Sequence, residues 1–556
     1  MPTEVVSFIG YGETRGAKPT PRDVFEAELK KHPAKAVVRL CSLLNAVLSS
    51  WRTPKDLGLQ AGLVRSAFPA DLADPIVRQH RPVFHRQQLL FTGREALRWS
   101  PADGPPPIPK HWGGLGTVLL MANDQLHCPL PEPPDDLTKF LTMVSTLIPV
   151  IEANNFQGFL HKMARSYLIL SRFIEPFRGS TGYFDIAQLF EEATGLSLTV
   201  YQALLCGALA RAMKVDVRKA IANPQEFTIP RNWFATTRCE KTDIERFFAD
   251  VSLSAADFSA RLANKVPNVN DFTLFRDRPL LNEPDALFPI DFAFLAEKFD
   301  TGPFWRVHNE LPEARKEPFH SFWGSVFERY MNWLLMETCS PRHNRVCPDP
   351  RYQADPERQV CDAIILCDRV AVLVEHKGST FTADAKYSGN VETLRAEIER
   401  KLVAHKGVEQ LAAAADRLAG FGPAAQVENL DLGGVSTLCP LLVLRDDIGS
   451  VPCLNAYLNA RFQEMKPRKT LRSIMPLFCV TAEDLEAISS VLATVPLSKI
   501  LAARKKADPL LRNSFAFSIA DNRVINEKDR PEPTILKNAT HELLALSGKT
   551  MGLEPP

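Results

Sequence analysis

The stretch "CDAIILCDRVAVLVEHKG", residues 361–378, restricts the fold of this chain more than any other. Residues 361–366 and 370–377 read as two apolar strands, with Cys367, Asp368 and Arg369 at the turn between them. Charges stand only at the outer ends: Asp362 near the start of the first run, Glu375, His376 and Lys377 at the close of the second. An interior strand normally excludes Asp, Glu and Lys, because an unpaired buried charge costs far more than a buried methyl group gains. Something must offset that cost.

Side chains alternate along a strand, so Glu375 and Lys377 share one face, about 7 Å apart at roughly 3.3 Å per residue, and His376 takes the other. If the two runs pair as an antiparallel hairpin, Asp362 returns beside Glu375, and two acids and one ammonium converge at one end of a sheet. Adjacent carboxylates repel, and one is protonated unless a cation sits between them. Hard oxygen donors without cysteine favour Mg²⁺ or Mn²⁺, which keep waters and accept phosphate oxygens as further ligands. A charged lysine cannot ligate a metal. It can orient or deprotonate a water, or neutralise charge building on phosphorus.

Asp362 at the start of one strand and Glu375-x-Lys377 at the end of the next resemble the PD-(D/E)XK nuclease superfamily. That family often carries a Glu on the preceding helix, and "FWGSVFERY" offers Glu328 there, with Gly324 for close approach of helix to sheet. The resemblance implies a restriction-endonuclease-like α/β/α domain and Mg²⁺-dependent endonuclease activity on DNA. Asp362, Glu375 and Glu328 would be the metal ligands and Lys377 a catalytic residue. Glu-x-Lys also occurs at Glu28, Glu399 and Glu464, but only the copy at 375 ends a long apolar run with an Asp across a hairpin. Cys361 stands where the family name has proline. Gln410 lies where the RecB-like branch has a supporting Gln, yet Ala414 replaces the Tyr of that branch.

The resemblance covers about residues 319–490 of a 556-residue chain, long enough for two to four domains. Within it, "FHSFWGSVFERYMNWLLMET" is an amphipathic helix, 391–419 a single helix, "LCPLLVLRDD" a strand that starts at Pro440, and "IMPLFCV" a strand followed by a helix capped by Thr481 and Asp484. The α/β domain is bounded at 319–500, with a loosely packed tail at 501–556. Upstream, residues 1–135 are proline-rich and read as mixed and irregular, and 136–318 as a mainly helical domain, a candidate sensor or partner-binding region. There Pro149 should break or kink a helix, Asp185 should cap one and Gly195 should end it.

Formal net charge is only +1, so attraction for nucleic acid must come from a local basic face. Arg461, Lys466, Arg468, Lys469 and Arg472 supply one candidate, and Arg504, Lys505, Lys506 and Arg512 another. The 11 cysteines form no Cys-x-x-Cys pair, and most read as small buried hydrophobes. Without a signal peptide or an apolar run of membrane-spanning length, a cytoplasmic location is expected.

DNA is the expected partner, with RNA as the alternative polymer. Double-strand cutting would suggest a homodimer that brings two active sites together, although no dimer helix is identifiable. A helical half fused to such a nuclease looks like an arrangement common in prokaryotic restriction and anti-phage defence proteins. The competing reading is a nucleic-acid-binding or scaffold protein that keeps the fold without cutting.

Overall fold

The computed structural model describes residues 8–49, 57–103, 110–126, 135–154, 159–214, 227–263, 268–468, 470–521 and 533–553. The chain is mixed α/β, with helices dominating the first half and the larger sheet in the second. The described residues between 11 and 126, expected to be irregular, form seven α-helices. They bury Phe25, Leu44, Phe68, Phe91 and Leu120 in a core shared with Phe258, Leu281, Phe288 and Phe294. The proline clusters that suggested irregularity fall mostly at 104–109 and 127–134, outside the described residues. A four-stranded sheet of short strands, drawn from 229–289, sits in this half.

Helix α1, Asp136–Asn154, continues through Pro149 for a further turn. Its Leu141, Val144 and Ile148 pack under the α/β part, in a core with Leu373, Leu394 and Phe462. Helix α2 is Phe159–Leu168 and α3 is Phe292–Asp300. Asp185 accepts from the Gln188 backbone N–H at 3.1 Å, and Gly195 ends that helix at φ +70°, both as expected. Among the described residues no single helix is long and apolar enough to cross a membrane; the pair Ile186–Thr194 and Leu198–Met213 is long and apolar enough only when taken together, and it is bent by 70°.

Helix α4, Glu313–Thr338, leads into the larger sheet. Its strands are β1 Arg345–Pro348, β2 Ala363–Cys367, β3 Val370–Lys377, β4 Thr437–Leu444, β5 Ser473–Ile474 and β6 Phe478–Thr481. The order is β5-β4-β3-β2-β1, with β6 continuing the β5 edge of β4. The β1–β2 and β2–β3 pairs are antiparallel, and β4 is parallel to β3, β5 and β6. Strand β1 was not anticipated, because it is a short edge strand whose partly exposed side chains show no alternation.

Pro440 stands inside β4 and not at its start. The Leu438 carbonyl accepts from the Met475 N–H at 2.9 Å, so the N–H that Pro440 lacks would face the same side. There β5 has ended at Ile474 and β6 begins only at Phe478, and no ladder bond is lost. The expected single helix over 391–419 is α5 Val391–Ile398, a π-turn Glu399–Val403, a break at 404–406, and α6 Gly407–Leu418. Helix α7 is Leu454–Met465, and α8, Ala482–Ile488, opens with the Thr481/Asp484 capping box as expected. Helix α9, Thr534–Met551, is no loose tail: Leu536, Ala539 and Leu543 are fully buried in the core that also holds Leu204 and Phe247.

The two halves are joined by a buried ionic cluster. Arg165 on α2, 1% exposed, donates to Glu486 on α8 at 2.9 Å and lies 3.2 Å from Asp300 at the end of α3. Tyr330 of α4 donates to the same Glu486 at 2.7 Å, and Arg445 just beyond β4 lies 3.4 Å from Asp300. Burial pushes the Asp300 carboxyl up, but the Arg165, Arg445 and Lys162 charges outweigh it and hold it below its ordinary value. Removing the central cation strands two buried carboxylates, at a cost of about 3–5 kcal/mol. Arg165→Met should therefore lower the unfolding free energy from urea titration by that amount, through a lower midpoint at an unchanged slope of the transition. A loss under about 1 kcal/mol would show that the cluster does not bind the halves together.

Candidate active site

The β2–β3 register sets the candidate site. Cys367 pairs with Val370 and Ala363 with Val374, so Asp362 continues the ladder opposite Glu375. The turn is Asp368-Arg369, with Asp368 at φ +54°, a left-handed conformation that Asp tolerates. The Asp362 carboxylate accepts from the His376 backbone N–H at 2.6 Å. Asp362 and Glu375 are both buried, at 8% and 3% exposure.

Lys377 closes the Glu375-x-Lys spacing with an ion pair of 2.7 Å and also donates to the Gln410 amide oxygen at 2.9 Å. Gln410, read from sequence only as a support, thus touches the lysine. Gly407 makes this contact possible: a Cβ there would stand 2.5 Å from Leu442 Cδ1 and 3.3 Å from Lys377 Cε. On the other face, α4 crosses the end of β3 at Gly378, where a Cβ would lie 3.1 Å from the Gly324 Cα. Gly324 itself faces open space, so the glycine required for close approach is Gly378 and not the expected Gly324. A glycine directly after Glu-x-Lys was the available signal.

Glu328, on α4, is half-buried. Its carboxyl is raised by burial, then by Glu375 and by Asp349, the residue after β1. Glu375 is raised by burial even though Lys377 opposes the shift. Asp362 is pushed up to about 8, first by burial and then by Glu375 and Glu328. The three carboxylates sense one another, and one lysine does not balance them. His376 packs its ring against Phe327 at 6.5 Å, and neither ring nitrogen has a hydrogen-bond partner. Burial holds it neutral, with its pKa near 3.

Among the described residues no group of three or more His, Cys, Asp or Glu side chains converges as a closed metal cage. Two adjacent buried carboxylates with raised pKa still fit a hard divalent ion in kind, since Mg²⁺ is held by one or two carboxylates with water and phosphate completing its shell.

Among the described residues two members of the expected basic face are already engaged elsewhere. Arg472 is 2% exposed, its guanidinium donating to the carbonyls of Val435, Leu418 and Leu432 at 3.1, 2.6 and 2.8 Å, so it cannot reach a phosphate. Arg461 pairs with Glu399 at 3.0 Å and with Glu464. Lys469 lies outside the described residues, which leaves Lys466 and Arg468. These follow the C-terminal end of α7, in the segment leading to Arg472, which is bonded to the loop before β4. The start of β4 pairs with Val370 and its end with Lys377, so this pole of the sheet lies about 23 Å from the lysine, seven steps at ~3.3 Å. In the second candidate run Arg504 is also buried, bonded to the carbonyls of Cys479 and Asn513.

Compared with protein-family models, curated proteins and solved structures, the chain matches none.

An acid raised on folding contributes stability below its unfolded pKa and loses it as pH rises through the folded value. In metal-free protein, Asp362→Asn should therefore raise the melting temperature at pH 8 and leave it nearly unchanged at about pH 3, where the carboxyl is mostly protonated in both states. An equal effect at both pH values would mean that charge repulsion is not what destabilises the site.

Proposed function

We propose that the α/β part of this chain is a restriction-endonuclease-like domain of PD-(D/E)XK type that hydrolyses phosphodiester bonds, with DNA as the first substrate. The observation that carries this reading is Asp362 beside Glu375: two buried, raised carboxylates in register, with Lys377 reaching back to one of them. A purely structural sheet end gains nothing from such a pair, because replacing it with apolar side chains would remove the desolvation cost.

In this reading Asp362 and Glu375 would hold a divalent cation, Mg²⁺ or Mn²⁺, with water and phosphate oxygens completing its shell; Glu328, the third ligand expected from the sequence, does not converge with them as a donor set among the described residues. When bound, that ion supplies Lewis acidity toward a phosphoryl oxygen and lowers the pKa of water. The chain's own residues do the rest. The His376 backbone N–H fixes one Asp362 oxygen and leaves the other for binding. Gln410 orients the Lys377 ammonium, which aligns the attacking water or neutralises charge growing on phosphorus. Burial of Glu375 keeps its pair with Lys377 in a low-dielectric setting, where each charge acts strongly.

The helical half serves as a sensor or partner-binding region, in keeping with a role in prokaryotic defence or restriction. The second reading is a scaffold that binds without cutting, and its support is the lack of three converged donors among the described residues.

Purified protein is expected to cut supercoiled plasmid or linear duplex with Mg²⁺ or Mn²⁺. The activity should disappear with EDTA and fall at least about 10²-fold in Lys377→Ala and Asp362→Ala. Single-stranded DNA and RNA, tested in parallel, identify the polymer. Cutting that survives both substitutions would place the chemistry elsewhere. No cutting and no calorimetric heat of metal binding would favour the scaffold.

A further inference from the structure

Three carboxylates beside one ammonium make a poor seat for a polyanion, and the chain's formal charge of +1 offers no general attraction. If the site cuts nucleic acid, cations close to it must hold the phosphates on either side of the scissile bond. The Lys466/Arg468 end of the sheet is too distant to do so.

The connection between α5 and α6 carries cations beside Lys377. After the π-turn Glu399–Val403 the chain breaks at 404–406, with His405 at φ +54°, and Gly407 then opens α6 directly against Lys377. Arg400, His405 and Lys406 are exposed along this path. His405 lies 3.5 Å from Glu409, whereas among the described residues neither Arg400 nor Lys406 has an ion-pair partner. The acids of the same turn are already engaged: Glu397 by Lys401 at 2.5 Å and Glu399 by Arg461 at 3.0 Å.

The positive field reaches across to α4. There His320 is held below its ordinary pKa by burial and then by the charges of His308, Lys401 and Arg400. The cations therefore extend from the start of α6, beside Lys377, toward the helix that carries Glu328.

We propose that Arg400 and Lys406 contact backbone phosphates of the nucleic acid substrate, so that the strand runs along the α5–α6 connection and not past Lys466 and Arg468. This rests on the phosphodiesterase reading of the site. Phosphate contacts of this kind position the polymer and carry no base specificity. Each one releases condensed counterions, which makes it countable.

The test uses the full chain with Lys377→Ala as the non-cutting parent and a fluorescent duplex, read by anisotropy between about 50 and 200 mM salt. Adding Arg400→Ala and Lys406→Ala should weaken binding and reduce the slope of log K against log salt by about 1.8, roughly 0.9 for each contact. Lys466→Ala with Arg468→Ala should leave the slope unchanged. Circular dichroism melts verify that each variant is folded. A double variant with the parent's slope and affinity overturns the inference, and loss in the Lys466/Arg468 variant alone would move the track to the other pole. If the wild-type chain cuts duplex while the Arg400/Lys406 variant binds like its parent, this inference falls and the nuclease reading stands. A parent that binds no duplex even at about 50 mM salt overturns the inference whatever the cleavage assay shows.

Discussion

The buried guanidinium of Arg165 is the contact on which the arrangement of the chain depends. It reaches Glu486 from α8 and Asp300 from α3, and Tyr330 of α4 meets the same Glu486. Four helices from distant parts of the sequence are thus locked by groups that cannot be left unpaired away from water. Arg445 adds a link from the end of β4, its guanidinium 4.9 Å above the Trp323 ring and its backbone N–H bonded to the Lys377 carbonyl at 3.0 Å. The ionic cluster and the carboxylate–lysine site are therefore separated by one peptide hydrogen bond.

This placement explains why the site can carry raised carboxyl groups at all. Two layers of apolar side chains hold the sheet: Trp323, Val326 and Phe327 over Val372 and Val374 on one face, Leu394, Val408 and Leu411 over Ala371 and Leu373 on the other. Area buried there offsets the cost of confining Asp362 and Glu375 where neither is comfortably ionised. Glycines at 378 and 407 let helices from both faces approach the end of β3. The charged groups are thereby confined to one end of the sheet.

Much of this was legible in residues 361–378, because a period of two and a short turn determine which side chains meet; the turn is one residue shorter than the sequence suggested, since Cys367 belongs to β2 and pairs with Val370. The caps at Asp185, Gly195 and Thr481 were legible for the same reason: they are local. What failed was long-range. Arg472 belongs to a basic run by sequence and to a cage of carbonyls by structure, and nothing local distinguishes the two. Pro440 was placed by a sound rule, but the gap between β5 and β6 that satisfies it lies more than thirty residues away. The break at 404–406 escaped because its apolar residues keep helical spacing across it, while the steric demand of Leu442 on Gly407 is tertiary.

The Asp368-Arg369 turn has a further consequence. It lies at the opposite end of the hairpin from the acids, yet it alone sets which residue faces Glu375. One residue added or removed there would slide β2 by a single step and present Cys361 or Ala363 in place of Asp362, with every buried side chain of the strand turned to the wrong layer. The hairpin acts as a measuring rod. Its composition can drift freely as long as its count is kept, so over evolutionary time this segment should record substitutions and no insertions or deletions.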